Sequence, residues 1–249
     1  MDPISLFKET KFSNSVWWKL KTKVQGFQHE FANNLVTEIL ENRSFRLVEK
    51  DLFLKNWEYK SRILIQLFED GYLCWVNKDQ LFFEPIIDNK GSEIICDEFY
   101  IQSQIPLILN WIKDQSVLPN KYLWGGTIGP DYDCSGLIQT AYFKHNIFLP
   151  RDSYQMKSFC SHIFNFPDNI NLLKMGDILF FGTQVKCDHV GIYDKNGYYY
   201  HSSGKETGRD GIGQDNLINE NNLISSYYKS KLISAGRVTR SYKWNKTLR

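Results

Sequence analysis

Through roughly the first hundred residues the apolar and polar positions read as short strands, and the pattern then changes. "SVWWKLKTKV" (Ser15–Val24) is rich in β-branched and aromatic residues, and "SFRLVEKDLFLKN" alternates in part. "SRILIQLFEDGYLCWVNKDQL" (Ser61–Leu81) predicts a strand, a turn at Asp70-Gly71 and a second strand ending near Val76. "LVTEILEN" (Leu35–Asn42) fits a helix or a strand. Turn signals at short intervals suggest a small barrel or sandwich. Leu81 to Gln104, with Pro85 and Gly91, reads as an irregular connector.

Beyond it, "IPLILNWIKDQSV" (Ile105–Val117) spaces Leu107, Ile108, Trp111 and Ile112 as a helix does, with Pro106 suited to the helix start. Leu137, Ile138, Ala141 and Tyr142 mark one face of a second helix that opens at Asp133 or Cys134 and ends before Asn146. "GDILFFG" (Gly176–Gly182), "HVGIYD" (His189–Asp194), "YYYHSS" (Tyr198–Ser203) and "LISAGRVT" (Leu232–Thr239) read as strands, with a hairpin turn at Asn196-Gly197. The expected architecture is an all-β domain with its connector over residues 1–104, followed by an α+β domain over 105–249, helices first and then an antiparallel sheet.

Composition narrows the function classes. The 249 residues are 42% hydrophobic and 23% charged, ordinary for a globular protein. A net charge of +2 points to no nucleic acid and no membrane surface as partner. The five cysteines are odd in number, irregularly spaced and without a CxxC, which argues against a disulfide framework and a structural zinc site. Neither a signal peptide nor an apolar run of membrane-spanning length is seen, so a cytoplasmic location is expected. The sequence carries no signal of oligomeric state.

One cysteine stands apart. In "YDCSGLIQTAYF" (Tyr132–Phe143), Asp133 suits an N-cap, which leaves Cys134 at the positive end of the helix, where thiolate is favoured over thiol. First-turn N–H groups there also suit a developing oxyanion, and Gly136 and the Gly125-Gly126 pair permit close approach. A nucleophilic cysteine needs a base, and the base an orienter. Of His29, His145, His162, His189 and His201, the last two lie 201 − 189 = 12 residues apart on strands that the Asn196-Gly197 turn would pair. Cys187, Asp188, His189 and His201 form a rival zinc set, disfavoured because neighbours on a strand point to opposite faces. Neither a metal nor a cofactor is expected, and Cys74, Cys96 and Cys160 read as packing residues.

"YLWGG" (Tyr122–Gly126), "DCSG" (Asp133–Gly136), "PRDS" (Pro150–Ser153), "GDILFFG", "DHVGIYD" (Asp188–Asp194) and "YYYHSSG" (Tyr198–Gly204) occur in the order found in NlpC-type cysteine peptidases, which resemble a minimal papain-like core. The resemblance covers residues 105–240. Cys before His separates the chain from circularly permuted acyltransferases, and the gap of 189 − 134 = 55 residues is far shorter than the ~130–150 of papains. The resemblance implies hydrolysis of γ-D-glutamyl bonds in bacterial cell-wall peptides. It makes Cys134 the nucleophile, His189 the base, His201 the third polar member, and Tyr122 the tyrosine whose hydroxyl lies near the reacting centre. Asp133 and Ser135 match residues that bind the substrate's N-terminal amine in some members, and Arg151 and Asp152 match a family motif placed with the substrate-binding residues. Residues 15–82 resemble a bacterial SH3-like domain, where Tyr72, with Glu69 second, matches a tyrosine that restricts cleavage to peptides with free N-terminal L-Ala. Tyr72 reads equally as an SH3 surface aromatic, and Glu69-Asp70 as a plain turn.

The expectation is a cysteine endopeptidase that cuts γ-D-glutamyl–diaminopimelate bonds in peptidoglycan-derived peptides of the L-Ala-γ-D-Glu-diaminopimelate type, in cell-wall recycling or turnover. Two other readings stand beside it: a cell-wall-binding SH3-like protein with an inert catalytic domain, and a related amidase or acyltransferase.

Overall fold

A computed structural model describes residues 17–48, 61–85, 96–166, 170–219 and 222–244. The chain divides into two compact units, Met1–Glu93 together with Trp244–Arg249, and Ile94–Lys243. The second half of "SFRLVEKDLFLKN", the first residues of "SVWWKLKTKV" and the stretch around Gly91 lie outside the described residues.

In the first unit, β1 (Trp18–Leu20), β2 (Val24–Phe27), β3 (Leu35–Ile39), β4 (Ser44–Leu47), β5 (Arg62–Leu67), β6 (Leu73–Asn77) and β7 (Phe83–Pro85) form an antiparallel sheet in the order β3-β2-β6-β5-β4-β1-β7. Leu35–Asn42, ambiguous by pattern, is thus a strand, and part of the expected connector pairs with β1 as β7. Trp18, Leu20, Ile39, Phe45, Ile63, Ile65 and Val76 fill the core. The Asp70-Gly71 hairpin forms with Ile63 opposite Val76 and Ile65 opposite Cys74. Gly71 takes φ 68°, and the ring of Trp244 lies where a side chain would be, 2.2 Å from an added Cβ. Arg46 stacks over the same ring at 4.8 Å, and Trp17 meets it edge-on at 6.2 Å. The turn itself is tied by buried Arg43, which pairs with Glu69 at 2.9 Å and Asp70 at 3.1 Å.

The second unit holds α1 (Glu98–Ser116), α2 (Cys134–Phe143), α3 (Ser153–Phe159), α4 (Leu223–Lys231), β8 (Ser161–Asn165), β9 (Ile178–Gly182), β10 (Cys187–Tyr193), β11 (Tyr198–Ser203), β12 (Gly211–Asn216) and β13 (Leu232–Arg237). The antiparallel sheet runs β12-β11-β10-β9-β13-β8. α1 opens eight residues before Pro106, because Asp97 caps it by accepting the Tyr100 N–H at 2.8 Å. Pro106 sits inside the helix, where burial of Ile101, Ile105, Ile108, Leu109 and Ile112 outweighs the hydrogen bond it forgoes. β9 alternates across the sheet: Ile178 and Phe180 join a core with Leu137, Ile138, Val190 and Ile192, while Leu179 and Phe181 join one with Tyr199, Tyr228 and Leu232. The Asn196-Gly197 turn has φ of 53° and 83°, both positive as the tight hairpin turn requires. Among the described residues no helix is long and apolar enough to cross a membrane.

Candidate active site

Asp133 caps α2 with its side chain, as the sequence suggests. Oδ1 accepts the Gly136 N–H at 2.6 Å and the Ser135 hydroxyl at 3.2 Å, and Oδ2 accepts the Gly125 N–H at 2.9 Å. Arg151, buried to 2% exposure, donates to both carboxylate oxygens and to Ser135 Oγ at 2.8 Å. The carboxylate is therefore cap and ion-pair partner at once, and a substrate ammonium would have to share it. Gly136 is required here: a Cβ would lie 2.0 Å from the Gly126 carbonyl oxygen. Asp152 does different work, opening α3, with its N–H donating to Gln155 Oε1 at 3.2 Å.

Cys134 is the first residue of α2, and the backbone N–H groups of Val190, the residue after His189, and of Ser135 favour its thiolate form. Burial, and then the Asp133 charge, push the thiol up to about 12, against the Val190 N–H, Arg151 and the Ser135 N–H. The helix-end expectation of a preformed thiolate is thus corrected: desolvation outweighs the helix end.

His189 and His201 meet as expected, though not directly opposite each other. With Ile192 opposite Tyr200, they are diagonal neighbours on one face, Nε2 of His189 lying 2.8 Å from Nδ1 of His201. A β-bulge helps aim His189: Cys187 pairs with Gly182 and His189 with Phe181, so Asp188 is the extra residue. Burial, and then His201, pull His189 well below the ordinary histidine value, and burial pulls His201 down too. Tyr122 has its phenol pushed up by burial first, with the Asp133 and Glu206 carboxylates adding to it, so it stays protonated.

Three neighbours escape sequence reasoning. Asp215 on β12 bonds His201 Nε2 through Oδ2 at 2.7 Å, and Arg209 Nη2 reaches the same oxygen at 2.6 Å. Tyr228 on α4 stacks on His189 at 4.5 Å and 30° and meets His201 edge-on at 4.6 Å. The available signal was register: Gly213 pairs with His201, so Asp215, two residues on, shares its face. Among the described residues no three His, Cys, Asp or Glu side chains converge as a metal site requires.

The NlpC/P60 family model matches residues 119–237. Residues 119–237 are an NlpC/P60 domain. The chain is similar to the bifunctional muramidase/DL-endopeptidase CwlT of Bacillus subtilis, 32% identical over 122 residues, 47% of this chain and 32% of that protein. It is also similar to the gamma-D-glutamyl-L-lysine dipeptidyl-peptidase of Bacillus cereus, 36% identical over 84 residues, 32% of this chain and 24% of that protein. The chain thus spans about a third or less of the length of these curated relatives. NlpC1 from Trichomonas vaginalis aligns over 94% of this chain and 96% of its own, with 15% identity and a TM-score of 0.48. Within the NlpC/P60 domain fall Tyr122, Asp133, Cys134, Ser135, Arg151, Asp152, His189 and His201, along with Arg209, Asp215 and Tyr228. Tyr72 and Glu69 belong to the first unit, where Tyr72 packs against the core and Glu69 accepts from Arg43 and the Ser44 N–H.

Proposed function

We propose that the NlpC/P60 domain is a cysteine peptidase that hydrolyses the γ-D-glutamyl–diamino acid bond of peptidoglycan-derived peptides, with diaminopimelate as the diamino acid. The observation that carries this reading is Cys134 opening α2 behind its Asp133 cap, together with a buried His189 that lies 2.8 Å from His201 ring nitrogen to ring nitrogen. The names of the relatives support the bond class. With the thiol pushed up and His189 pulled down, both groups start neutral. His189 takes the Cys134 proton as sulfur attacks the γ-carbonyl, and the N–H groups of the first helical turn hold the oxyanion. Protonated His189 then gives its proton to the leaving amine as the C–N bond breaks. Water, deprotonated by His189, attacks the thioester, and the departing Cys134 sulfur recovers the proton.

Asp133 and Ser135 serve in this reading as ligands for a free N-terminal amine of L-Ala-γ-D-Glu-diaminopimelate peptides, the Asp133 charge being shared with Arg151. Arg151 and Asp152 then act on the substrate indirectly, through Asp133 and through α3. Cys134→Ala is expected to keep the far-ultraviolet circular dichroism and to lower diaminopimelate release from the tripeptide by at least ~10⁴-fold. Undiminished turnover would defeat the assignment, and binding to sacculi by wild-type protein without hydrolysis would favour a binding role instead. Equal cleavage of free and N-acetylated tripeptide would remove the amine role of Asp133 and Ser135. The same pair of substrates, given to Tyr72→Phe and Glu69→Gln, tests the roles that resemblance gives those residues.

A further inference from the structure

The hydrogen bond between the two histidines can be made in either of two ways. His189 Nε2–H can donate to a bare His201 Nδ1, or His201 Nδ1–H can donate to a bare His189 Nε2. Both satisfy the 2.8 Å contact. Only the first leaves His189 Nδ1 without a hydrogen, and a ring nitrogen without a hydrogen is what a general base needs. Nothing in the two rings selects between them.

Asp215 makes the selection. Burial pushes its carboxyl up, but the His201 hydrogen bond, the Arg209 charge and the Ser225 hydrogen bond oppose burial and hold it on the ionised side. An ionised carboxylate only accepts, so His201 Nε2, 2.7 Å from Oδ2, must carry the hydrogen. Because burial keeps His201 neutral, its Nδ1 is bare, His189 must donate from Nε2, and His189 Nδ1 is left free. The carboxylate is itself held on both sides. Ser225 Oγ donates to Oδ1 at 3.0 Å and Arg209 Nη2 to Oδ2 at 2.6 Å. The Arg209 guanidinium occupies the space above Gly213, the residue paired with His201, where an added Cβ would come within 1.8 Å of Nη1.

We propose that Asp215, held by Arg209 and Ser225, is a positioning residue that fixes the ring tautomers of His201 and His189 so that Nδ1 of His189 is the base. Gly213 is required so that Arg209 can reach it. This inference rests on the peptidase reading of the site.

The test is nitrogen-15 NMR of the imidazoles at pH 7.5, together with tripeptide kinetics. In the wild-type protein both histidines are expected to carry hydrogen on Nε2, and a hydrogen on His189 Nδ1 would overturn the proposal. In Asp215→Ala the Arg209 charge faces His201 Nε2 and favours a lone pair there, so both hydrogens are expected to move to Nδ1. With that shift kcat is expected to fall roughly 100-fold while KM stays within about twofold. Asp215→Asn, whose amide oxygen is drawn toward Arg209 and His201, is expected to keep the wild-type tautomers and to lose less kcat than Asp215→Ala. Wild-type tautomers and rate in Asp215→Ala would overturn the proposal. If the alanine variant does not fold, the wild-type spectrum and the asparagine variant decide. If wild-type protein hydrolyses no γ-D-glutamyl peptide, the peptidase reading fails, while the spectra still judge Asp215.

Discussion

At Cys134 two local effects oppose each other. The helix end and the N–H groups of Val190 and Ser135 favour thiolate, while burial and the Asp133 carboxylate favour thiol, and the thiol wins. Alkylation by iodoacetamide, followed from pH 6 to 10, is therefore expected to keep accelerating to the alkaline end. A plateau reached below about pH 8 would instead reveal a preformed thiolate. Asp133 was legible as a cap because capping is read from adjacent residues. Its pairing with Arg151, 18 residues away, was not, because nothing in local spacing says which buried carboxylate a buried arginine will meet. Gly136 was legible as a point of close approach, and the structure names what approaches: the carbonyl of Gly126.

Among the elements, those announced by short-range chemistry formed where expected. The Asp70-Gly71 and Asn196-Gly197 turns each join paired strands, and the second of them brings His189 and His201 together. β12 was illegible because "GIGQDN" carries glycine at alternate positions, the reverse of a strand-forming composition; its partner β11 and the Arg209 above Gly213 explain that composition. Asp215 was lost with it. α4 was hidden by its polar sequence, "LISSYYKSK", with only Ser225 and Tyr228 fully buried. α1 was misplaced because Pro106 suggested a start that Asp97 in fact provides. Asp97→Ala should destabilise the second unit by about 1 kcal/mol, read as a lowered urea midpoint with unchanged slope.

On the scale of the whole molecule, acid sensitivity follows from the site. His189 and His201 have lower values folded than the ordinary 6.5, so below that pH the unfolded chain binds more protons and stability is lost as pH falls. Asp215, held low when folded, adds its loss further down, below about pH 4. The melting temperature is expected to drop between pH 7.5 and 5, and to drop less in His201→Gln, which removes one of the two titrating rings. A pH-independent melting temperature would contradict the burial of both imidazoles as neutral groups. At this scale the sequence showed an all-β region followed by an α+β region, but not that residue 244 returns to the first unit, since a tryptophan in a polar stretch does not name its partner.

That return has a consequence for synthesis. Domains built from one continuous stretch can fold in the order in which they leave the ribosome. Here Gly71, Arg46 and Trp17 wait for the indole of Trp244, which is made only after the whole stretch Ile94–Lys243. The unit that is translated first is the one that can be completed only last.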